Sequence, residues 1–293
     1  MGDEFLVWSL VGLAWLILLP TVLIFIATWT VSMVVKTSFV THAALGFIGV
    51  PIHELAHGLS CLLFRMPITR MRLFAPDHET GNLGYVSFAY NPRSTFHAVG
   101  LLVQGVAPLI AACLILGFLF PIPSEGVVYL GAAESNWVVR STAEGINQGL
   151  SLTLGNLVLG MEGAGWAILA LLIAAYSIPS WSDVRIALRG AIVVAIILVA
   201  GCALLSIAGE LAPLSLKGEV GLLEGYLKDA LIDAVGAAIR GISMVVFVSL
   251  TGLVTIQVFP ALIGHMIKTL MSTLRETSDD EKENCRPEGP ANI

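Results

Sequence analysis

Long apolar stretches recur along this chain and set its architecture. Stretches of about 20 or more apolar residues predict helices that cross a lipid bilayer. Six are present, over Phe5–Val35, Phe39–Phe64, Phe96–Phe120, Leu150–Ile178, Val184–Ala208 and Ile242–Leu270. We therefore predict an all-α polytopic membrane protein with about six transmembrane helices, the first two joined by a turn near residues 36–38.

Three segments outside these stretches have patterns of their own. Arg70–Phe74 and Leu83–Tyr90 contain apolar and aromatic residues and are separated by the turn-forming Pro76–Asn82, which predicts a small β-hairpin after the second helix. Val220–Ile239 contains charged residues interspersed with Leu, Val and Ile, which predicts an amphipathic helix on the outer surface of the membrane. The polar segment 273–293 is expected to be disordered.

These boundaries divide the chain into four parts. Residues 1–38 form an N-terminal anchor helix and the turn after it. Residues 39–190 form a core with the second to fourth spans and the hairpin, up to the start of the fifth span. Residues 191–272 contain the C-terminal spans with the amphipathic segment, and residues 273–293 are the polar tail.

Composition supports the membrane assignment and argues against other classes. Hydrophobic residues make up 56% of the chain and charged residues 12%, with a mean hydropathy of +0.87, which is not typical of a soluble domain. The formal net charge is −6 and no cluster of Lys and Arg is present, so no nucleic-acid partner is expected. The four cysteines are scattered singly, which predicts neither a disulfide framework nor a cysteine metal site.

Basic residues predict an orientation in the membrane, because Lys and Arg collect in cytoplasmic loops. Four arginines share the loop between the second and third spans: Arg65, Arg70, Arg72 and Arg93. The loops expected on the opposite side, over Glu125–Glu144 and Glu210–Asp233, contain more acidic than basic residues. We therefore expect a multi-pass protein of a prokaryotic cell membrane with both termini in the cytoplasm.

The second span contains the strongest chemical signal, the sequence His53-Glu54-Leu55-Ala56-His57. Residues four apart lie on one face of a helix, so His53 and His57 can bind one Zn²⁺ while Glu54 acts on water beside the ion. Ionisable side chains at membrane depth are costly and indicate function. The structural alternative is that neighbouring helices satisfy both histidines without a metal.

A catalytic zinc site needs a third protein ligand, and two acids are candidates. Asp183 follows Pro179 at a break between two predicted spans, at a compatible depth if this turn dips into the membrane. Ser180 and Asp183 also have the spacing of a helix capping box, which explains the aspartate without a metal. Glu162, among small residues, is the second candidate, and it is equally well explained as a loop residue before a shorter fourth span.

The chain resembles the site-2 protease family of intramembrane zinc metallopeptidases in three features. These are an HExxH sequence on an early transmembrane helix, a β-hairpin after that helix, and an aspartate at a helix junction broken by proline. The resemblance covers about Phe39–Arg189, so residues 39–190 would be the metallopeptidase core. It implies zinc, with His53, His57 and Asp183 as its ligands and Glu54 as general base. The better-known members carry this aspartate in an Asn-Pro-Asp-Gly segment, whereas here it ends Pro179–Asp183, so the chain would be a divergent member.

Three other residues are candidates for supporting roles. Gln104 and the small residues after it in the third span predict close packing on the HExxH helix, with Gln104 bonded to a ligand imidazole. Tyr85 lies on the second strand, along which an extended substrate could add, and Asn91 follows that strand.

The function implied is hydrolysis of peptide bonds in or near transmembrane segments, with a membrane protein or peptide as substrate and the bilayer as surroundings. Two other functions stay open. A transporter or channel would use Glu162 and Asp183 as an ion path. A noncatalytic scaffold derived from a protease would bind membrane partners without turnover. The sequence does not determine the oligomeric state.

Overall fold

The computed structural model describes residues 2–122, 136–211, 217–260, 262–264, 266–267 and 269–272. Most of these residues are helical, and two short strands form one antiparallel sheet. The elements are α1 (Gly2–Leu63), β1 (Ile68–Arg72), β2 (Tyr85–Phe88), α2 (Thr95–Phe118), α3 (Trp137–Leu150), α4 (Met161–Tyr176), α5 (Trp181–Leu211) and α6 (Lys217–Gly252), with π-helical turns at Ser151–Gly155 and Leu253–Val258. A helical protein with one small hairpin, as predicted, is confirmed.

Three helices in the described part of the chain are long and apolar enough to cross a membrane: Phe39–Leu63, Thr95–Phe118 and Ile232–Ile256. Met161–Tyr176 and Trp181–Val193 make a fourth candidate, a span broken by a 66° bend. These helices indicate a membrane protein. The described residues do not contain six separate spans of this kind, so the predicted number is not reached.

α1 is one helix of 62 residues, which corrects the predicted turn near residues 36–38. Neither glycine nor proline occurs between Val31 and Phe39, so nothing in the local sequence forces the helix to end. Pro20 and Pro51 both lie inside α1 without ending it. At about 1.5 Å per residue the helix is far longer than one bilayer crossing requires.

The end of α1 directs the chain into the hairpin. Arg65 takes a left-handed backbone conformation with φ of 53°, and the N–H of Met66 donates to the carbonyl oxygen of Cys61 at 2.8 Å. This is a Schellman-type helix end, which reverses the chain direction. β1 then pairs with β2 in antiparallel register, with Arg70 opposite Ser87. The predicted hairpin is therefore present, with β1 beginning two residues earlier than Arg70 and β2 shorter than Leu83–Tyr90.

Two predicted boundaries differ from the structure. The segment 125–144, expected as an outer loop, contains the start of α3, and the side chain of Asn136 caps that helix by accepting from the N–H groups of Val138 and Val139. The predicted amphipathic helix is helical, but it is continuous with the last span within α6. The polar tail 273–293 lies outside the described residues.

α2, α4 and α6 enclose the main apolar core. Its buried side chains include Leu109, Ala112 and Leu116 of α2, Ala170 and Ala174 of α4, and Met244, Val245 and Val248 of α6. Because lipid is as apolar as these side chains, close packing rather than a hydrophobic driving force holds such helices together.

Two glycines let helices approach closely beside the HExxH residues. A Cβ atom at Gly49 would lie 2.7 Å from the carbonyl oxygen of Leu172, so α4 rests directly on α1. A Cβ atom at Gly105 would overlap with the carbonyl oxygen of Asp183, so the first turn of α5 rests on α2. Gly105 therefore faces α5, and not the HExxH helix as the sequence suggested.

Candidate metal centre

The two histidines of the HExxH sequence lie one turn apart on α1 and face each other. Their Nε2 atoms are 3.1 Å apart, and their ring centroids are 4.8 Å apart. His57 is buried and His53 is nearly so. The predicted alignment on one helix face is therefore present, and both rings point into the protein.

Backbone carbonyl groups orient both imidazoles. The Nδ1 atom of His53 lies 2.8 Å from the carbonyl oxygen of Tyr176, and the Nδ1 atom of His57 lies 2.9 Å from the carbonyl oxygen of Gln104. A carbonyl oxygen only accepts hydrogen bonds, so each Nδ1 carries the proton and donates it. Each Nε2 is then left with a free lone pair, which is the form of histidine that binds metals.

Asp183 completes the group from the first turn of α5. Its Oδ1 atom lies 3.4 Å from Nε2 of His57, and its Oδ2 atom lies 3.9 Å from Nε2 of His53. The chain between Tyr176 and Trp181 is not helical, and this break brings the aspartate to the histidines. The three ligand atoms all lie within 4.8 Å of one another.

The chemistry of these donors fits a metal ion. Two nitrogen lone pairs 3.1 Å apart repel each other unless a proton or a cation lies between them, and the neighbouring carboxylate favours a cation. At metal–ligand distances of about 2.0–2.2 Å, tetrahedral ligands lie roughly 3.3–3.6 Å apart. The separations of 3.1 Å and 3.4 Å are close to this value, and the third, between His53 and Asp183, is longer at 3.9 Å. His53, His57 and Asp183 could therefore hold a metal ion.

Glu54 lies beside this triad and is buried, with 7% of its surface exposed. It lines the same cavity as the three candidate ligands, a space of about 770 Å³. The hairpin backbone packs closely against the Glu54 side chain, because a Cβ atom at Gly84 would lie only 2.8 Å from Cγ of Glu54. The backbone at Gly84 thus limits the positions that Glu54 can take.

The hairpin loop forms one wall of this cavity through residues 80–84. Leu83 anchors the loop by packing with Val50 and Tyr176. At the outer end of the loop, hydrogen bonds from the Thr80 hydroxyl and from the Glu79 N–H hold the pKa of the Asp77 carboxyl below its usual range. The loop is therefore tied both to α1 and within itself.

Two predicted supporting residues lie at the cavity. Gln104 is buried, and its backbone carbonyl oxygen accepts from Nδ1 of His57. Its side-chain Nε2 lies 3.1 Å from the same Nδ1, but a protonated Nδ1 has no lone pair to accept from it, so this second contact is not a hydrogen bond in that tautomer. Its Oε1 atom has no hydrogen-bond partner in the part of the chain that the structure describes. Tyr85 lines the cavity from β2 and is 43% exposed.

Two other predicted residues are not brought to the triad. Glu162 is exposed in the first turn of α4 and does not belong to the candidate metal group, whereas Asp183 does. Asn91 is exposed and makes local bonds: its N–H donates to Nδ1 of His97, and its Oδ1 accepts from the N–H of Arg93. The loop geometry explains Asn91 without a substrate.

Sequence reasoning missed two residues of this centre. Tyr176 supplies the carbonyl group that orients His53, and its hydroxyl donates to the carbonyl oxygen of His42 at 2.6 Å. Gly84 limits Glu54 through its backbone alone. A carbonyl group and a missing side chain have no residue-type signature, so the pattern along the chain could not have revealed either contact.

Compared with known proteins, the chain matches no protein-family model, no curated protein and no solved structure. The interpretation of the metal centre therefore rests on its own geometry and chemistry.

Proposed function

We propose that this protein is an intramembrane zinc metalloprotease, a divergent member of the site-2 protease family. Its substrates would be membrane proteins, hydrolysed at peptide bonds in or near their transmembrane segments. The observation that carries the proposal is that His53, His57 and Asp183 converge in the same cavity as the buried Glu54. Two imidazoles, one carboxylate and an adjacent acid are the parts that metal-assisted peptide hydrolysis needs.

Each of these residues has a distinct part in the proposed reaction. His53, His57 and Asp183 would hold the ion, and Zn²⁺ bound there would supply Lewis acidity that lowers the pKa of water and polarises a carbonyl group. Glu54 accepts the proton of the attacking water and returns it to the leaving amine nitrogen as the peptide bond breaks. The Tyr176 carbonyl keeps the His53 ring in place during both transfers.

The surroundings of the triad favour an uncharged, extended substrate. Among the described residues that line the cavity, Glu54 and Asp183 are the acids, and neither Lys nor Arg is present. A transmembrane helix must unwind to expose a carbonyl group, because its backbone is bonded internally. β2 lies at the cavity and pairs with β1 along one edge, so its other edge can receive the unwound segment by strand addition.

We also propose a multi-pass protein of a prokaryotic cell membrane, with the arginine-rich loop 65–93 in the cytoplasm. A continuous α1 that crosses once puts its two ends on opposite sides, so the N-terminus would lie outside. This differs from the orientation expected from the sequence, in which both termini are cytoplasmic. Protease digestion of an N-terminal epitope tag on intact cells distinguishes the two orientations.

The proposed function is tested with Glu54→Gln in purified protein reconstituted in lipid vesicles. The substrates are fluorogenic single-span peptides with a Gly-Ala-Gly sequence in mid-span, and metal content is measured by plasma mass spectrometry. We expect wild type and variant to hold about one zinc ion per chain. Turnover by the variant should fall by about 10²–10⁴-fold, because a general base is lost while the ligands remain.

Glu162→Gln is the matched control, since it makes the same change at an exposed acid away from the triad. It should cleave the peptides at the wild-type rate. Wild-type cleavage by Glu54→Gln, or wild-type protein free of bound metal after zinc loading, would contradict the proposal. Metal retained with no cleavage by the wild type would instead favour a noncatalytic scaffold.

A further inference from the structure

The two carboxylate oxygens of Asp183 have different surroundings. Oδ2 accepts two hydrogen bonds from Ser180, one from its N–H and one from its hydroxyl, each at 2.7 Å. Oδ1 instead faces Nε2 of His57 at 3.4 Å. Oδ2 is therefore bonded to the start of α5 and lies 3.9 Å from Nε2 of His53, whereas Oδ1 is the oxygen beside His57.

The hydroxyl of Ser180 is itself held in one orientation. A serine hydroxyl has a single proton, and here it is donated to Oδ2 of Asp183. The bond of 2.7 Å between the Ser180 and Ser182 hydroxyls must then use the proton of Ser182. The N–H of Asp183 approaches Ser180 Oγ at 3.4 Å, as in a capping box. Ser180 thus keeps the carboxylate from rotating.

We propose that Ser180 is a positioning residue for the metal ligand Asp183, so that the cap of α5 also sets the affinity for the ion. This inference rests on the proposed function, because it assumes that the triad binds zinc. A carboxylate free to rotate would lose conformational entropy on binding the ion, whereas the bonds from Ser180 to Oδ2 have already fixed it with Oδ1 towards His57. Ser180 does not touch the ion and takes no part in the bond-breaking steps.

A purely structural role for Ser180 makes a different prediction. If Ser180 only caps α5, its loss lowers the stability of the metal-free protein and leaves zinc affinity unchanged. Glycine separates the two roles, because it caps helices nearly as well as serine yet has no hydroxyl to donate to Asp183. Threonine retains the hydroxyl and should retain both roles.

The experiment compares Ser180→Gly, Ser180→Ala and Ser180→Thr in the full-length protein in detergent. Zinc dissociation constants are measured by competition with a chromophoric chelator, and the unfolding temperature is measured on the metal-free forms. We expect Ser180→Gly and Ser180→Ala to weaken zinc binding by about 10–100-fold, the range seen when groups that support a ligand are removed. Ser180→Gly should melt within a degree or two of wild type, and Ser180→Thr should bind zinc within about threefold of it.

Ser182→Ala is the matched control, because it removes a neighbouring exposed hydroxyl that does not contact the carboxylate. Its zinc affinity should stay within about threefold of wild type, well below the effect of losing a group that supports a ligand directly. Replacing zinc with Co²⁺ adds a spectroscopic check, since a reoriented carboxylate changes the visible absorption bands in the Gly and Ala variants alone.

The possible outcomes separate this inference from the proposed function. Wild-type zinc affinity in both Ser180→Gly and Ser180→Ala overturns the positioning role and leaves the protease proposal standing. Wild-type protein that does not bind zinc overturns both. If Ser180→Ala does not fold, the Gly and Thr variants still decide, because one lacks the hydroxyl and the other keeps it.

Discussion

At the scale of single residues, interruptions in helical hydrogen bonding supply the groups that orient both ligand histidines. Tyr176 is the last residue of α4, and the final carbonyl groups of a helix have no partner within it. Gln104 lies four residues before Pro108 in α2, and proline has no N–H to donate to the carbonyl group four residues earlier. Both carbonyl oxygens accept from an imidazole.

This arrangement predicts that Pro108→Ala weakens zinc binding while making α2 a more regular helix. The new N–H at position 108 would donate to the carbonyl oxygen of Gln104, which now accepts from His57. We expect zinc affinity to fall by up to about tenfold, the lower limit for loss of a group that orients a ligand. The unfolding temperature of the metal-free protein should not fall, because alanine is the better helix former. Chelator competition and thermal unfolding measure the two quantities.

Pro20→Ala in α1 makes the same substitution at a helix-interior proline that is 33 positions away from His53 in the chain. It should leave zinc affinity unchanged. An unchanged affinity for Pro108→Ala as well would show that His57 does not depend on a freed carbonyl group.

At the scale of helices and strands, the sequence predicted the parts that depend on local pattern. The HExxH spacing, the hairpin and the helix start at Trp181 all follow from periodicity, turn residues and capping. The continuity of α1 did not, because an apolar run with one lysine is compatible with a turn or with a helix. Asp183 was only one of two candidates, since the contact of α5 with α2 at Gly105 decides its distance from His57 and involves residues far apart in sequence.

The contact at Gly105 predicts that Gly105→Ala separates α5 from α2 and withdraws Asp183 from the histidines. A Cβ atom there would overlap with the Asp183 carbonyl oxygen and lie 2.6 Å from Cβ of Ala187, so backbone must move. We expect zinc affinity to fall by more than about tenfold, because displacement of a ligand costs at least as much as loss of the group that supports it. Chelator competition at equilibrium measures the change.

Gly117→Ala on the same helix is the matched control. A Cβ atom at Gly117 has only the flexible end of Met244 within reach, at 3.9 Å, so no shift is required. Zinc affinity should stay at the wild-type value. Equal losses from both substitutions would mean that α2 responds to any added methyl group, and the specific contact with Asp183 would lose its support.

At the scale of the whole molecule, the triad joins two helices that are far apart in the chain. His53 and His57 belong to α1, whereas Asp183 belongs to α5, whose first turn rests on α2. An ion held by all three side chains would therefore tie α5 to α1 across the break in the fourth candidate span. Zinc binding should then stabilise the fold as well as supply chemistry, because only the folded chain brings these ligands together.

We expect free zinc at about 100 times the dissociation constant to add about 2.7 kcal/mol to the free energy of unfolding. Thermal unfolding of the detergent-solubilised protein should shift upwards by several degrees on adding zinc, and a chelator should reverse the shift. Mg²⁺ should have no effect, because it prefers oxygen ligands to imidazole. His57→Ala should abolish the zinc shift and Glu54→Gln should keep it, since only the first removes a ligand. A zinc shift that survives in His57→Ala would place the bound ion elsewhere in the protein.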